Sequence, residues 1–194
     1  MPGLYKQIDE KTKNYISELL KQIENEPECR EAYVRLAAIL VKYNKTDHAI
    51  KFYQRANDIK EDYISLYNLG SLFYRKGQFK KAIILLEKSK ILKKNFIMAP
   101  LVIGLCYSRL NNIKAATSNF INVLMIEPSN KTALIALSMI YHNNGKTTDS
   151  KQLIKRLTDI YPEDEKIVKI IADILYFSGE TRESAQVIKE IKKS

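Results

Sequence analysis

Asn44, Gly77, Asn111, Gly145 and Gly179 follow one another at spacings of 33, 34, 34 and 34 residues. Glycine and asparagine reach the left-handed backbone region at least cost, so they end helices and open turns. Five such positions on one period mean that a single structural unit is copied along the 194-residue chain. A period of this size marks a stacked-repeat architecture and sets the fold before any helix is placed.

With the turn residue at position 15, the copies start at Arg30, Tyr63, Ile97, Lys131 and Glu165. Position 7 then reads Leu36, Leu69, Ile103, Leu137 and Ile171, and position 8 reads Ala37, Gly70, Gly104, Ser138 and Ala172. Position 11 is large (Leu40, Phe73, Tyr107, Tyr141, Leu175), position 20 is small (Ala49, Ala82, Ala116, Ser150, Ser184), and position 24 is Tyr53, Leu86, Phe120, Ile154 and Ile188. Residues four apart stack on one helix face, so 7 and 11 belong to a first helix and 20 and 24 to a second. The small residues at 8 and 20 let the two approach. Pro128 and Pro162, at position 32, stop the second helix. Each unit is therefore expected to be an antiparallel helix pair with one apolar side.

This pattern resembles the tetratricopeptide repeat, most closely in Ile103-Gly104, Tyr107, Ala116, Phe120 and Pro128. Departures fall at position 4, where only Tyr33 is aromatic, and at position 27, where only Ala56 is alanine. The resemblance implies an all-α, right-handed superhelical α-solenoid of about five repeats plus an N-terminal helix. The expected division is an N-terminal capping helix or partial repeat in 1–29, then one array with repeats 30–62, 63–96, 97–130, 131–164 and 165–194. The capping helix carries the stripe Tyr15, Ile16, Leu19, Leu20 and Ile23, with Asp9 as its N-cap. At the other end Val187, Ile188 and Ile191 leave an apolar edge that suits a chain fragment or self-association.

Composition excludes several classes. Hydrophobic residues at 45% and charged residues at 28% fit a folded globular chain. The longest weakly charged stretch, 95–113, is broken by Pro100 and by Asn111-Asn112, and is too polar to span a bilayer. Met1-Pro2-Gly3-Leu4-Tyr5-Lys6 lacks a signal-peptide core. The cytoplasm is the default expectation, and the periplasm fits if a signal has been removed. The +10 charge is mostly lysine, as the codon bias of an AT-rich genome would give. Cys29 and Cys106 are isolated, without metal-ligand spacing, and Cys106 reads as a small core residue.

No catalytic set converges. The two histidines, His48 and His142, are 94 residues apart, and no nucleophile, phosphate or zinc motif occurs. No cofactor or metal is expected. The resemblance instead implies a protein-interaction scaffold whose first helices line a concave groove with positions 2, 5, 9 and 12, and with 6 and 13 beside them. The expected contacts are Val34, Tyr67, Asn68, Tyr74, Met98, Leu101, Leu105, Ile135, Met139 and His142, taking an extended peptide or amphipathic helix of another protein. Arg75 and Arg109 could meet acidic groups on that ligand. The stripe is expected to turn polar in the fifth repeat, at Lys166, Lys169, Asp173 and Tyr176. Some of these side chains could equally be covered by the chain itself.

A carboxylate clamp for chaperone tails, known in a branch of this family, would need polar residues where Val34, Ala38, Met98 and Val102 stand, and only Asn68 matches. Two alternatives remain: an RNA-binding helical repeat, which an apolar groove disfavours, and self-assembly through the C-terminal edge. A basic cluster at Arg75, Lys76, Lys80, Lys81, Lys88, Lys90, Lys93 and Lys94 falls mostly on a second helix, away from the expected groove.

Overall fold

The computed structural model describes residues 8–177, which form an all-α helical repeat fold. The helices are α1 (Glu10–Asn25), α2 (Arg30–Lys42), α3 (Thr46–Ile59), α4 (Tyr63–Arg75), α5 (Phe79–Leu92), α6 (Met98–Arg109), α7 (Ile113–Ile126), α8 (Lys131–Asn143), α9 (Thr147–Ile160) and α10 (Glu165–Phe177). Two compact units divide between Cys106 and Tyr107. In the first, α1 packs on α2, α2 on α3, α3 on α4 and α4 on α5; in the second, α7 packs on α8, α8 on α9 and α9 on α10.

The periodic turn has one geometry, repeated. Asn44 and Asn111 have φ of 56°, and Gly77 and Gly145 have φ of 73°. At each, two backbone bonds close the preceding helix. At the first turn, Lys45 N–H donates to Leu40 C=O at 2.8 Å and Asn44 N–H to Val41 C=O at 3.0 Å. The same pair of bonds recurs from Gln78 to Phe73, Asn112 to Tyr107 and Lys146 to Tyr141, each at 2.9 Å. Left-handed closure of this kind satisfies carbonyls that a helix end would leave bare. The large residue at position 11 thus supplies both a core side chain and the accepting carbonyl. Gly179 lies outside the described residues, as do Ser184, Val187, Ile188 and Ile191.

The register predicted from sequence is the register of the core. Leu36, Leu69, Ile103, Leu137 and Ile171 are all buried, as are Ala49, Ala82, Ala116, Tyr53, Leu86 and Phe120. The small positions do what they were expected to do. A Cβ added to Gly70 would stand 2.8 Å from Leu86 Cγ, so α4 and α5 meet too closely for any side chain there. Where α8 meets α9, Ser150 Oγ donates to the Ser138 carbonyl at 2.9 Å. Pro100 sits in the first turn of α6, where no N–H is required.

Asp9 caps α1 by accepting from Thr12 N–H at 2.9 Å, and Tyr43 O–H donates to the same carboxylate at 2.6 Å. Those donors hold its pKa well below the usual carboxylate range. Ile16 and Leu19 are buried where α1 lies on α2. A polar latch recurs between successive pairs. Arg30, first residue of α2, reaches Asp62 ahead of α4, and Lys131, first residue of α8, reaches Asp164 ahead of α10.

Candidate functional site

The expected groove positions meet different fates in the two units. In the first, much of the stripe is engaged internally. Phe96, in the loop between α5 and α6, sits edge-on to Tyr63 and Tyr67, with centroids 5.0 and 5.2 Å away. Asn68 Nδ2 donates to Tyr53 O–H at 3.2 Å. Burial raises the Tyr53 pKa, and that bond only partly offsets it. Tyr74 lies against Phe79 at 5.7 Å. Val34 and Leu105 are half-buried, and Leu101 is only 7% exposed, so an acidic residue at 101 would disturb folding before it reported on binding. Met98 stands out at the start of α6. Arg75 is exposed, with Nη2 3.5 Å from Asn44 Oδ1.

In the second unit, Ile135, Met139 and His142 of α8 line one pocket of about 520 Å³ together with Asn143 and with Ile170, Asp173 and Ile174 of α10. Position 5, 9 and 12 side chains share a helix stripe, which explains how α8 presents three of them at once. The floor is apolar and packed: Leu134, Ile154, Leu157, Ile167, Ile171 and Ile174 form a buried cluster, and Ile135 and Ile170 pack against it. Met139 is 44% exposed, an unbranched thioether free to change shape at the mouth. His142, Asn143 and the exposed Asp173 bring the polar atoms to an otherwise aliphatic lining. Arg109 is exposed at the end of α6.

In the fifth repeat the polar stripe residues Lys169 and Asp173 are exposed, and the pocket draws on their apolar neighbours as well. Asp173 does line the pocket, but so do Ile170 and Ile174, one turn apart at positions 6 and 10. The alternation of Ile167, Ile170, Ile171 and Ile174 was the available signal. Phe96 was also missed, since a loop residue carries no helical period. The side chains of Lys166 and Tyr176 and the C-terminal edge lie outside the described positions. Among the described residues no His, Cys, Asp or Glu group has metal-site geometry, and no helix is long and apolar enough to cross a membrane.

Two family models match the chain. Residues 132–164 match the tetratricopeptide repeat, covering α8 and α9, and residues 42–123 match the anaphase-promoting complex, cyclosome, subunit 3 family. Among solved structures, a tetratricopeptide repeat protein from Parabacteroides merdae aligns over 92% of this chain and 70% of its own, with TM-score 0.78 and 21% identity. YrrB, described as a TPR protein with an unusual peptide-binding site, aligns over 89% and 90%, with TM-score 0.71 and 19% identity.

This chain has the tetratricopeptide repeat fold and carries a match to that repeat at residues 132–164.

MamA from Desulfovibrio magneticus RS-1 shares the fold, with TM-score 0.75 and 16% identity over 84% of this chain and 93% of its own. By sequence, Protein CTR9 homolog of Arabidopsis thaliana is 25% identical over 118 residues, 59% of this chain. The chain spans 11% of that relative's length. Proteins of this family are in general protein–protein interaction scaffolds rather than enzymes. Asn68, the single residue that suited a carboxylate clamp, has its amide committed to Tyr53.

Proposed function

We propose that the chain is a non-enzymatic scaffold that holds an amphipathic helix or extended segment of a partner protein, with the α8–α10 pocket as its anchor. The observation that carries this reading is the convergence of Ile135, Met139 and His142 with Ile170 and Ile174 around one apolar cavity. A helix bound in a groove presents anchors at one-turn spacing, and this cavity is within the size range of ligand sites. Asp173 and Asn143 on the lining suit a lysine or arginine placed beside the partner's aliphatic anchors. Two fully buried aliphatic anchors supply about 3–6 kcal/mol. Association itself costs on the order of 4 kcal/mol or more. Contacts outside the pocket must therefore add the surplus.

The test uses a displayed library of amphipathic helical peptides selected on the wild-type chain. Met139→Asp puts an unpaired charge at the mouth and is expected to weaken a selected peptide by at least about tenfold while circular dichroism stays unchanged. Equal affinity in a folded variant contradicts the reading.

A further inference from the structure

Residues 75–94 hold eight lysines and arginines against a single carboxylate, Glu87, so most of the chain's +10 charge sits in this span. Codon bias accounts for many lysines, but not for their concentration here. The structure pairs Lys76 with Asp47, Lys88 with Glu61 and Lys90 with Glu87. Lys80, Lys81 and Lys94 remain exposed, with no ion pair among the described residues.

The aliphatic residues between these lysines are the second observation. Lys80, Ile84, Lys88 and Ile91 follow one stripe of α5, flanked by Lys81 and Leu92. Ala82, Leu86 and Ser89 face the core, so the helix is already seated on α4 by its other side. Yet Ile84 is 63% exposed, Ile91 73% and Leu92 53%. The other repeats provide an internal control. Ile84 and Ile91 occupy positions 22 and 29, where α3 has Lys51 and Asp58, α7 has Ser118 and Met125, and α9 has Gln152 and Asp159, all exposed. Only α5 carries branched aliphatics at both places, and the one acid beside its outward arc, Glu87, is paired with Lys90.

We propose that the outer face of α5 docks on an anionic lipid bilayer. Lysines attract acidic headgroups while aliphatic side chains between them enter the acyl boundary. A protein partner is the poorer fit. Protein hot spots are aromatic or arginine side chains seated in pockets, whereas this face is a protruding ridge of isoleucine and lysine. Because α5 is held by α4, docking needs no refolding and is shallow and reversible. It leaves the α8–α10 pocket's own residues uninvolved.

The experiment is co-sedimentation with vesicles of phosphatidylcholine alone or with about a third phosphatidylserine. The wild-type chain is expected to pellet with the anionic vesicles only, and less so as salt rises. Ile84→Ser with Ile91→Ser, and separately Lys80→Glu with Lys81→Glu, should each cut partitioning by about tenfold or more, with helicity unchanged because all four side chains are exposed. Met139→Asp should pellet like wild type. Three results would each overturn the proposal: no pelleting of the wild type, a serine variant that pellets as well as wild type, or soluble polyglutamate that binds both forms equally. The last would assign the face to an acidic polypeptide.

Discussion

The same register positions have opposite outcomes in the two units. In the first, Tyr67 is met by Phe96, Asn68 by Tyr53, and Leu101 is buried. In the second, Ile135, Met139 and His142 open onto a cavity. Part of the difference traces to one loop residue. Asp62, Asn130 and Asp164 stand last before the next repeat and accept from first-turn N–H groups of α4, α8 and α10. Phe96 holds the equivalent place in the second repeat and spends its side chain on Tyr63 and Tyr67 instead. A repeat register says which residues share a face; the residues between helices decide whether that face is free.

Substitutions can break this comparison. The largest effect should come from Leu134→Ala, which removes a fully buried side chain from the cluster under the pocket. It should cost about 2–5 kcal/mol in urea unfolding. Met139→Ala, at the exposed mouth, should change stability by less than about 0.5 kcal/mol. If the two cost the same, Met139 is core and the contrast fails.

Next in size is Gly70→Ala. Its new Cβ would collide with Leu86, a mid-side-chain atom that cannot swing away, so a loss of about 1–3 kcal/mol is expected. Gly77→Ala has open space but a φ of 73°, and should lose about 1 kcal/mol through backbone strain alone. Equal losses at both sites would argue that the helices can part without cost.

Phe96→Ala should be milder still, about 1 kcal/mol for the lost ring contacts. Its informative readout is surface rather than stability. Freed Tyr67 and Tyr63 should raise the binding of an apolar dye to the first unit, making it more like the second. Unchanged dye binding would mean that Phe96 does not cover the stripe.

The smallest effect is chemical. Burial pushes the Cys106 thiol up to about 11, whereas Cys29 is half-exposed. A thiol reagent at mildly alkaline pH should modify Cys29 in the native chain and reach Cys106 only on unfolding. The raised value also fixes a sign. Whatever stability Cys106 contributes is fully present below the ordinary thiol range and is lost as pH rises toward 11. Prompt reaction of both thiols would mean that the helix carrying Cys106 opens readily.

How much of this was legible beforehand follows from where each signal lives. The turns were legible because a left-handed residue leaves a chemical mark, as Asn44, Gly77, Asn111 and Gly145 do. The core was legible because small and large residues alternate on a fixed helical period. The site was half legible. Ile135, Met139 and His142 follow from the register and Ile170 sits at position 6 beside it, but Ile174, at position 10, lies off the expected stripe. The latches of Arg30 to Asp62 and Lys131 to Asp164 were invisible because each joins residues about one period apart.

The most direct test of the α8–α10 anchor is methyl NMR of the methionines. Met98, Met125 and Met139 are all exposed, and they report respectively on the first unit's stripe, an outer face and the pocket mouth. On adding a peptide selected against the wild-type chain, the account predicts that the Met139 methyl shifts or broadens while Met125 stays in place. A peptide that binds and moves Met98 or Met125 but leaves Met139 unchanged would contradict it.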